Sequence, residues 1–247
     1  MSERKTLTEA EFKTRSRRSF LTGIAGMAAG YGGWRAIQND EPVDRIPGVL
    51  RSMHERNGSI WQALYDGDRL SKTYDPSRAE TLRVNGTRGI REEIDLDQWT
   101  MDIVGRSGST IGTHEIADIH ALPFTEMTVE HRCVEGWSSI VTWGGTTFSN
   151  LAAMYAADAE APIVNLSTPD NGYYVSLDRD SMMHPQTLLA WELNGEPLTQ
   201  RHGAPLRLVT PLKYGIKQLK RIGTITFADE RGPDFWNERG YDWYSGL

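Results

Sequence analysis

A single cysteine in 247 residues rules out an internal disulfide, so the fold must be held by its apolar core. The thiol itself is left as a buried side chain, a reactive nucleophile or a metal ligand. Met127, Val129, His131 and Cys133 alternate with Thr128, Glu130 and Arg132, the period of a strand with one covered face. Gly136 breaks that alternation, which puts Cys133 at the C-terminal end of the strand, where backbone leaves a sheet and sites are commonly built. With 38% hydrophobic residues and eight tryptophans, the chain can fill one sizeable core or two small ones. A net charge of -6 gives no global basic field and argues against nucleic acid as a partner.

The N-terminal region reads separately. Lys13, Arg15, Arg17 and Arg18 precede an uncharged run from Thr22 to Trp34 that is rich in glycine and alanine. Ser16-Arg17-Arg18-Ser19-Phe20-Leu21 resembles a twin-arginine export signal, with a basic front and a weakly apolar middle. Residues 1–38 are therefore expected to act as an export signal or an uncleaved anchor, taking the chain to the periplasm or the outer face of the cytoplasmic membrane. A basic tail before a short amphipathic segment is the alternative.

Residues 39–80 read as a helical lead-in. Val49, Leu50 and Met53 share one face, and Ser59 is placed to cap a second helix carrying Ile60, Trp61, Leu64 and Tyr65. Leu82 to Gly86 is extended and ends in an Asn85-Gly86 turn. Trp99, Met101 and Ile103 alternate as a half-buried strand, and Thr113 to Leu122 is expected to be a short helix capped by Thr113. Strand, helix and the Cys133 strand are compatible with a crossover connection. After Gly144-Gly145, Thr147 or Ser149 can cap a helix bearing Leu151, Met154 and Tyr155. Strands are expected at 161–166, 173–177 and 187–193, the last ending in an Asn194-Gly195 turn.

Between His202 and Lys220 the chain places five potential cations in nineteen residues, His202, Arg207, Lys213, Lys217 and Lys220, with no acid among them. Gly203 and Gly215 allow close approach of backbone to a ligand. Such a set can bind a phosphate, with arginine giving paired hydrogen bonds and lysine a point charge; the alternative is a solvated basic face. Zinc is disfavoured, since the spacings of His114, His120, His131 and Cys133 fit no common closed zinc pattern. A Cys133-His131 nucleophile pair is disfavoured because residues two apart on a strand share a face without facing each other.

His131-Arg132-Cys133-Val134-Glu135-Gly136-Trp137 resembles the segment carrying the molybdenum-ligating cysteine of the sulfite oxidase family. The resemblance extends through Leu193-Asn194-Gly195-Glu196-Pro197-Leu198, His202 to Pro211 and Lys213 to Lys217, and on to a Phe235 to Tyr241 tail. It covers about residues 82–241, in family order. It implies an α+β domain with a mixed β-sheet over residues 81–247, binding one molybdenum-molybdopterin cofactor per chain. By position it implies Cys133 as the metal ligand, with Asn85, Thr168, His202, Arg207, Lys217, Gln218 and Lys220 contacting the cofactor. An Asn-Gly turn and a Thr-Pro-Asp turn are the bland readings of Asn85 and Thr168. Arg132, beside the ligand, either steers an anionic or S-oxide oxygen or forms a salt bridge to Glu130 or Glu135. Trp137 and Trp143 either wall the pocket or belong to the core.

The activity implied is oxygen-atom transfer at a sulfur substrate, reducing an S-oxide or protein methionine sulfoxide. Sulfite dehydrogenation and a metal-free exported binding domain are the alternatives. Without a Cys-x-x-Cys-His motif, no c-type haem is expected on this chain, so a membrane cytochrome b subunit or a soluble cytochrome is the expected electron partner. The all-β dimerisation domain of longer members is not matched, which implies a monomeric catalytic subunit.

Overall fold

A computed structural model of the chain describes residues 8–43 and 46–247. It divides into two units, Met1–Met53 and His54–Leu247. In the first, α1 (Glu9–Gln38) opens on a capping box in which Thr8 and Glu11 satisfy each other's backbone N–H groups, and none of its side chains is buried. β1 (Pro42–Val43) and β2 (Ile46–Pro47) pair antiparallel, and α2 (Gly48–Ala63) carries the chain into the second unit. The helix start expected at Ser59 is not found. The Ser59 hydroxyl donates to the carbonyl of Glu55 at 2.9 Å, and α2 runs on through it. Among the described residues no helix is long and apolar enough to cross a membrane.

The second unit holds two five-stranded sheets. β3 (Thr100–Val104), β4 (Thr110–Glu115), β7 (Ile163–Ser167), β8 (Tyr174–Asp178) and β12 (Thr224–Ala228) form one, in the order β4-β3-β12-β7-β8. In it β3 and β12 are parallel and the other neighbours antiparallel, so the sheet is mixed. β5 (Thr125–Arg132), β6 (Ser138–Thr147), β9 (Leu188–Leu193), β10 (Glu196–Pro197) and β11 (Arg207–Val209) form the other, which is antiparallel with β9 at its centre. Leu188 and Ala190 pack with Val129, Val141 and Trp143, whereas Leu189 joins Leu208, Ile103 and Phe227 in the larger core. Strand β9 is thus covered on both faces, which is why it is a continuous apolar run rather than an alternating one. The Asn194-Gly195 turn after it has both residues at positive φ, 55° and 79°, as a two-residue hairpin requires.

Two other expectations are corrected. Thr113 lies within β4 and donates its hydroxyl to Asp102 on β3 at 2.7 Å; α3 is only Ile116–His120. The expected crossover is absent as well, because β3 and β4 form a hairpin while β5 enters the other sheet. Gly144-Gly145 lies within a strand. β6 continues to Thr147 through a bulge at these residues, and a Cβ at Gly145 would collide with the Leu189 carbonyl and Ala190 of β9. Helix α4 (Phe148–Ala152) then starts from a Thr147 cap, as expected.

Beneath the C-terminal tail lies a buried ionic cluster. Lys217 pairs with Asp234 and donates to the Ser176 carbonyl at 3.1 Å. Lys213 reaches Asp178 at 3.3 Å, and its ammonium lies 2.9 Å from the centre of the Tyr244 ring. Desolvation pushes both lysines down, Lys213 to about 7, against the pull of the carboxylates. Breaking such a pair from one side strands a charge. Asp234→Asn is expected to destabilise the protein by about 3–5 kcal/mol in urea unfolding, and adding Lys217→Met is expected to recover most of that loss.

Candidate functional site

Strand β5 ends at Arg132, and the hairpin to β6 closes around Cys133. The Cys133 N–H donates to the Trp137 carbonyl at 2.9 Å, and the Gly136 N–H donates to the Cys133 carbonyl at 3.1 Å. Gly136 has φ 88°, a conformation that favours glycine and lets the loop turn this tightly. The thiol, 8% exposed, lines a cavity of about 160 Å³.

Three further segments and Tyr173 complete the cavity. From residues 82–88 come Asn85, Arg83 and Arg88; from 202–220 come His202, Arg207, Gln218 and Lys220; and the tail adds Trp236 and Tyr241. The Asn85 side-chain amide donates to the Cys133 sulfur at 3.7 Å, while its backbone carbonyl accepts from Lys220 Nζ at 2.7 Å. Arg207, 2% exposed, donates to the His202 carbonyl at 3.0 Å and lies over the Trp143 ring at 4.5 Å. Its Nε is buried without a partner. His202 is held between the Thr199 hydroxyl at 3.0 Å and the Leu82 carbonyl at 3.3 Å.

The site is electropositive and partly dry. Burial lowers Arg207 to about 9, which leaves it charged at neutral pH. Burial, with Arg207 and Arg201 nearby, lowers Lys220 to about 7. Burial and Arg207 lower His131 to about 4. Glu135 is the one acid in the lining; it accepts from Trp137 Nε1 at 3.0 Å, and that bond holds its carboxyl below the usual range. Against this acid stand Arg83, Arg88, Arg207 and Lys220, an arrangement suited to an anionic ligand.

Cys133, Asn85, His202, Arg207, Gln218 and Lys220 therefore converge on one cavity, whereas three other expected residues lie outside it. Arg132 is turned to solvent and bonds Glu130 at 2.7 Å and 3.1 Å, the salt-bridge alternative. Thr168 is buried in its own turn, where it donates to Asp170 at 2.6 Å, accepts from the Tyr173 N–H at 3.1 Å and packs against Gly89. Lys217 belongs to the ionic cluster with Asp234, because a four-carbon stem on a buried helical turn reaches the carboxylate beneath it. Trp137 lines the cavity, and Trp143 is fully buried under Arg207. His114 bonds Tyr155 at 2.6 Å and His120 packs at a tilt against Trp191, ring centres 4.7 Å apart, so neither joins Cys133. Arg83, Arg88 and Tyr173 in the lining were not foreseen. The signal for the two arginines was their position on either side of Asn85.

Among the described residues no group of three or more His, Cys, Asp or Glu side chains converges as a metal shell. A metal at Cys133 would have to bring its other ligands with it. An anionic organic chelate fits this donor set, since a lone thiol is flanked by cations and by the unpartnered Nε of Arg207.

Comparison with known proteins bears on these features. Residues 88–236 match the family described as "Oxidoreductase molybdopterin binding domain". The chain is 31% identical over 216 residues to a putative protein-methionine-sulfoxide reductase subunit, YedZ1, of Azospira oryzae, covering 85% of this chain and 80% of that one. It is 33% identical over 163 residues to the protein-methionine-sulfoxide reductase catalytic subunit MsrP of Campylobacter jejuni, covering 60% of this chain and 54% of that one. The match to MsrP of Xanthomonas axonopodis is 32% over 161 residues, 59% of this chain and 49% of that one. The chain thus spans about half the length of these MsrP relatives. The sulfane dehydrogenase SoxCD of Paracoccus pantotrophus shares the fold, with a TM-score of 0.52 at 20% identity over 57% of this chain and 40% of that one. With a two-sheet α+β fold and a cationic cavity at its lone cysteine, the chain belongs to the molybdopterin-binding oxidoreductases of the sulfite oxidase family.

Proposed function

We infer that the chain is an exported catalytic subunit that binds one molybdenum-molybdopterin cofactor through Cys133 and reduces S-oxides, including protein methionine sulfoxide. The observation that carries this reading is the convergence of the Cys133 thiol, Asn85 and the Arg207-Lys220 cations on one cavity. When bound, the cofactor supplies two-electron oxygen-atom transfer at sulfur. The protein's own groups bind and orient. Asn85 would fix the cysteine sulfur through its amide, Arg207 and Lys220 would set positive charge, and Arg207 its unpartnered Nε–H, toward the anionic end of the pterin, and His202, held by Thr199 and Leu82, would wall it. Trp137, Trp236 and Tyr241 give the lining aromatic surface that suits a thioether or its S-oxide. Electrons would come from a membrane cytochrome b or a soluble cytochrome.

Sulfite dehydrogenation is the competing reading, favoured by Arg83 and Arg88 in the lining, because two cations suit a dianion. Turnover with a sulfoxide and reduced viologen, set against sulfite and an artificial acceptor, decides between the two; the sulfoxide is expected to be the better substrate. Protein made in a host that synthesises the pterin is expected to carry about one molybdenum per chain, by elemental analysis. Cys133→Ser is expected to lose turnover at least a thousandfold while keeping pterin on the cationic residues, a large effect because the metal's only protein bond is removed. Metal-free parent protein would leave only a binding domain.

Lys220 makes cofactor binding pH-dependent. Its pKa is lowered to about 7, so it is charged below that pH and loses its proton above it. Affinity of the apo-protein for the pterin, followed by fluorescence, is expected to fall as pH rises from about 6 to 8, and Lys220→Arg is expected to flatten that fall. Export rests on Arg17 and Arg18 before the uncharged run. Replacing both with lysine is expected to leave most of the protein in the cytoplasmic fraction, as judged by immunoblotting of separated compartments.

A further inference from the structure

His131 lines the cavity two residues before Cys133. Its tautomer follows from its neighbour. Gln218 donates both amide hydrogens, to the Thr210 carbonyl at 3.0 Å and the Lys213 carbonyl at 3.3 Å, so its oxygen faces His131 Nδ1, 3.1 Å away. An acceptor in that place requires the proton on Nδ1. In the neutral ring Nε2 then carries a lone pair, and among the described residues it has no hydrogen-bond partner. Trp137 and Trp143, with ring centres 6.0 Å and 6.3 Å away, hold the imidazole in this orientation.

The space before that nitrogen is kept open by Gly215. A Cβ on Gly215 would stand 3.0 Å from His131 Nε2 and 3.1 Å from Cε1, tight against that edge of the ring, so a methyl there narrows the space beside the nitrogen. Gly215 is not among the glycines with positive φ, so its backbone does not call for glycine; the requirement is one of room. The charged side chains around it are donors, Arg83, Arg88, Arg207 and Lys220, and the one acid, Glu135, is occupied by Trp137. A fixed acceptor in such a lining selects a ligand that carries an N–H group.

We propose that His131 is a recognition residue whose Nε2 accepts a hydrogen bond from an N–H of the pterin heterocycle, in the gap left by Gly215. This rests on reading the cavity as the pterin site. The test uses cofactor-loaded full-length parent, His131→Phe and Gly215→Ala, with pterin measured by fluorescence after acid oxidation, molybdenum by elemental analysis, and folding by thermal unfolding. His131→Phe keeps a flat ring and removes the acceptor; Gly215→Ala keeps the acceptor and narrows the space beside it. Both variants are expected to retain pterin about tenfold less tightly on dilution than the parent, the loss of one buried hydrogen bond. A folded Gly215→Ala that holds pterin as tightly as the parent overturns the proposal, even where His131→Phe fails to fold, and a fully loaded His131→Phe overturns it equally. A parent without pterin overturns the functional reading itself and this inference with it.

Discussion

The cavity depends on the bond from Lys220 Nζ to the Asn85 carbonyl, 2.7 Å long between residues 135 positions apart. Asn85 touches the cysteine sulfur with its side chain and holds the ammonium with its backbone, so one residue sets the distance between the soft ligand and the hard cations. Neither group could be placed by its own strand. Cys133 is fixed by a hairpin in the antiparallel sheet, while Lys220 lies on the connection between β11 and β12, strands of different sheets. The segment from Leu82 to Arg88, which has no regular secondary structure, is the part that bridges them. Loops held by two rigid sheets are where binding groups are commonly found, and this is such a case.

Much of this was legible in the residues. The alternation around Val129 and His131 located a strand with Cys133 at its end, and the Asn194-Gly195 pair located a hairpin, because both signals depend on local backbone geometry. The errors came where tertiary packing overrode local preference. Thr113 carries the capping chemistry of a helix start, but its hydroxyl found Asp102 on the adjoining strand. No local pattern carries the need for glycine at Gly145, where the backbone of a neighbouring strand leaves no room for a Cβ. The site shows the same division. Cations close together in sequence were visible as a cluster, yet which of them face a ligand depends on buried partners. Lys217 meets Asp234, Lys220 meets backbone carbonyls, and no spacing rule distinguishes the two. Arg132 was decided by Glu130, two residues away on its own strand.

The cationic segment therefore has two functions that charge counting would merge. Lys213 and Lys217 face inward and fasten the tail through Asp178, Asp234, Trp243 and Tyr244. Arg207 and Lys220 face the cavity, where desolvation without a carboxylate leaves them ready for an incoming anion. Between the two pairs lies Gln218, bonded on one side to the backbone above the lysines and on the other to His131. Packing around the tail and the shape of the cavity are in this way mechanically linked.

The parallel pairing of β3 with β12 has a consequence for biogenesis. Those strands are separated by most of the domain, and Trp236 and Tyr241 of the cavity follow even later in the chain. Contacts this remote in sequence form slowly and late. The cavity is complete only once Trp236 and Tyr241 have joined residues 82–88 and Cys133. A cavity assembled from segments this far apart in sequence is a property of the whole folded domain and of none of its parts alone.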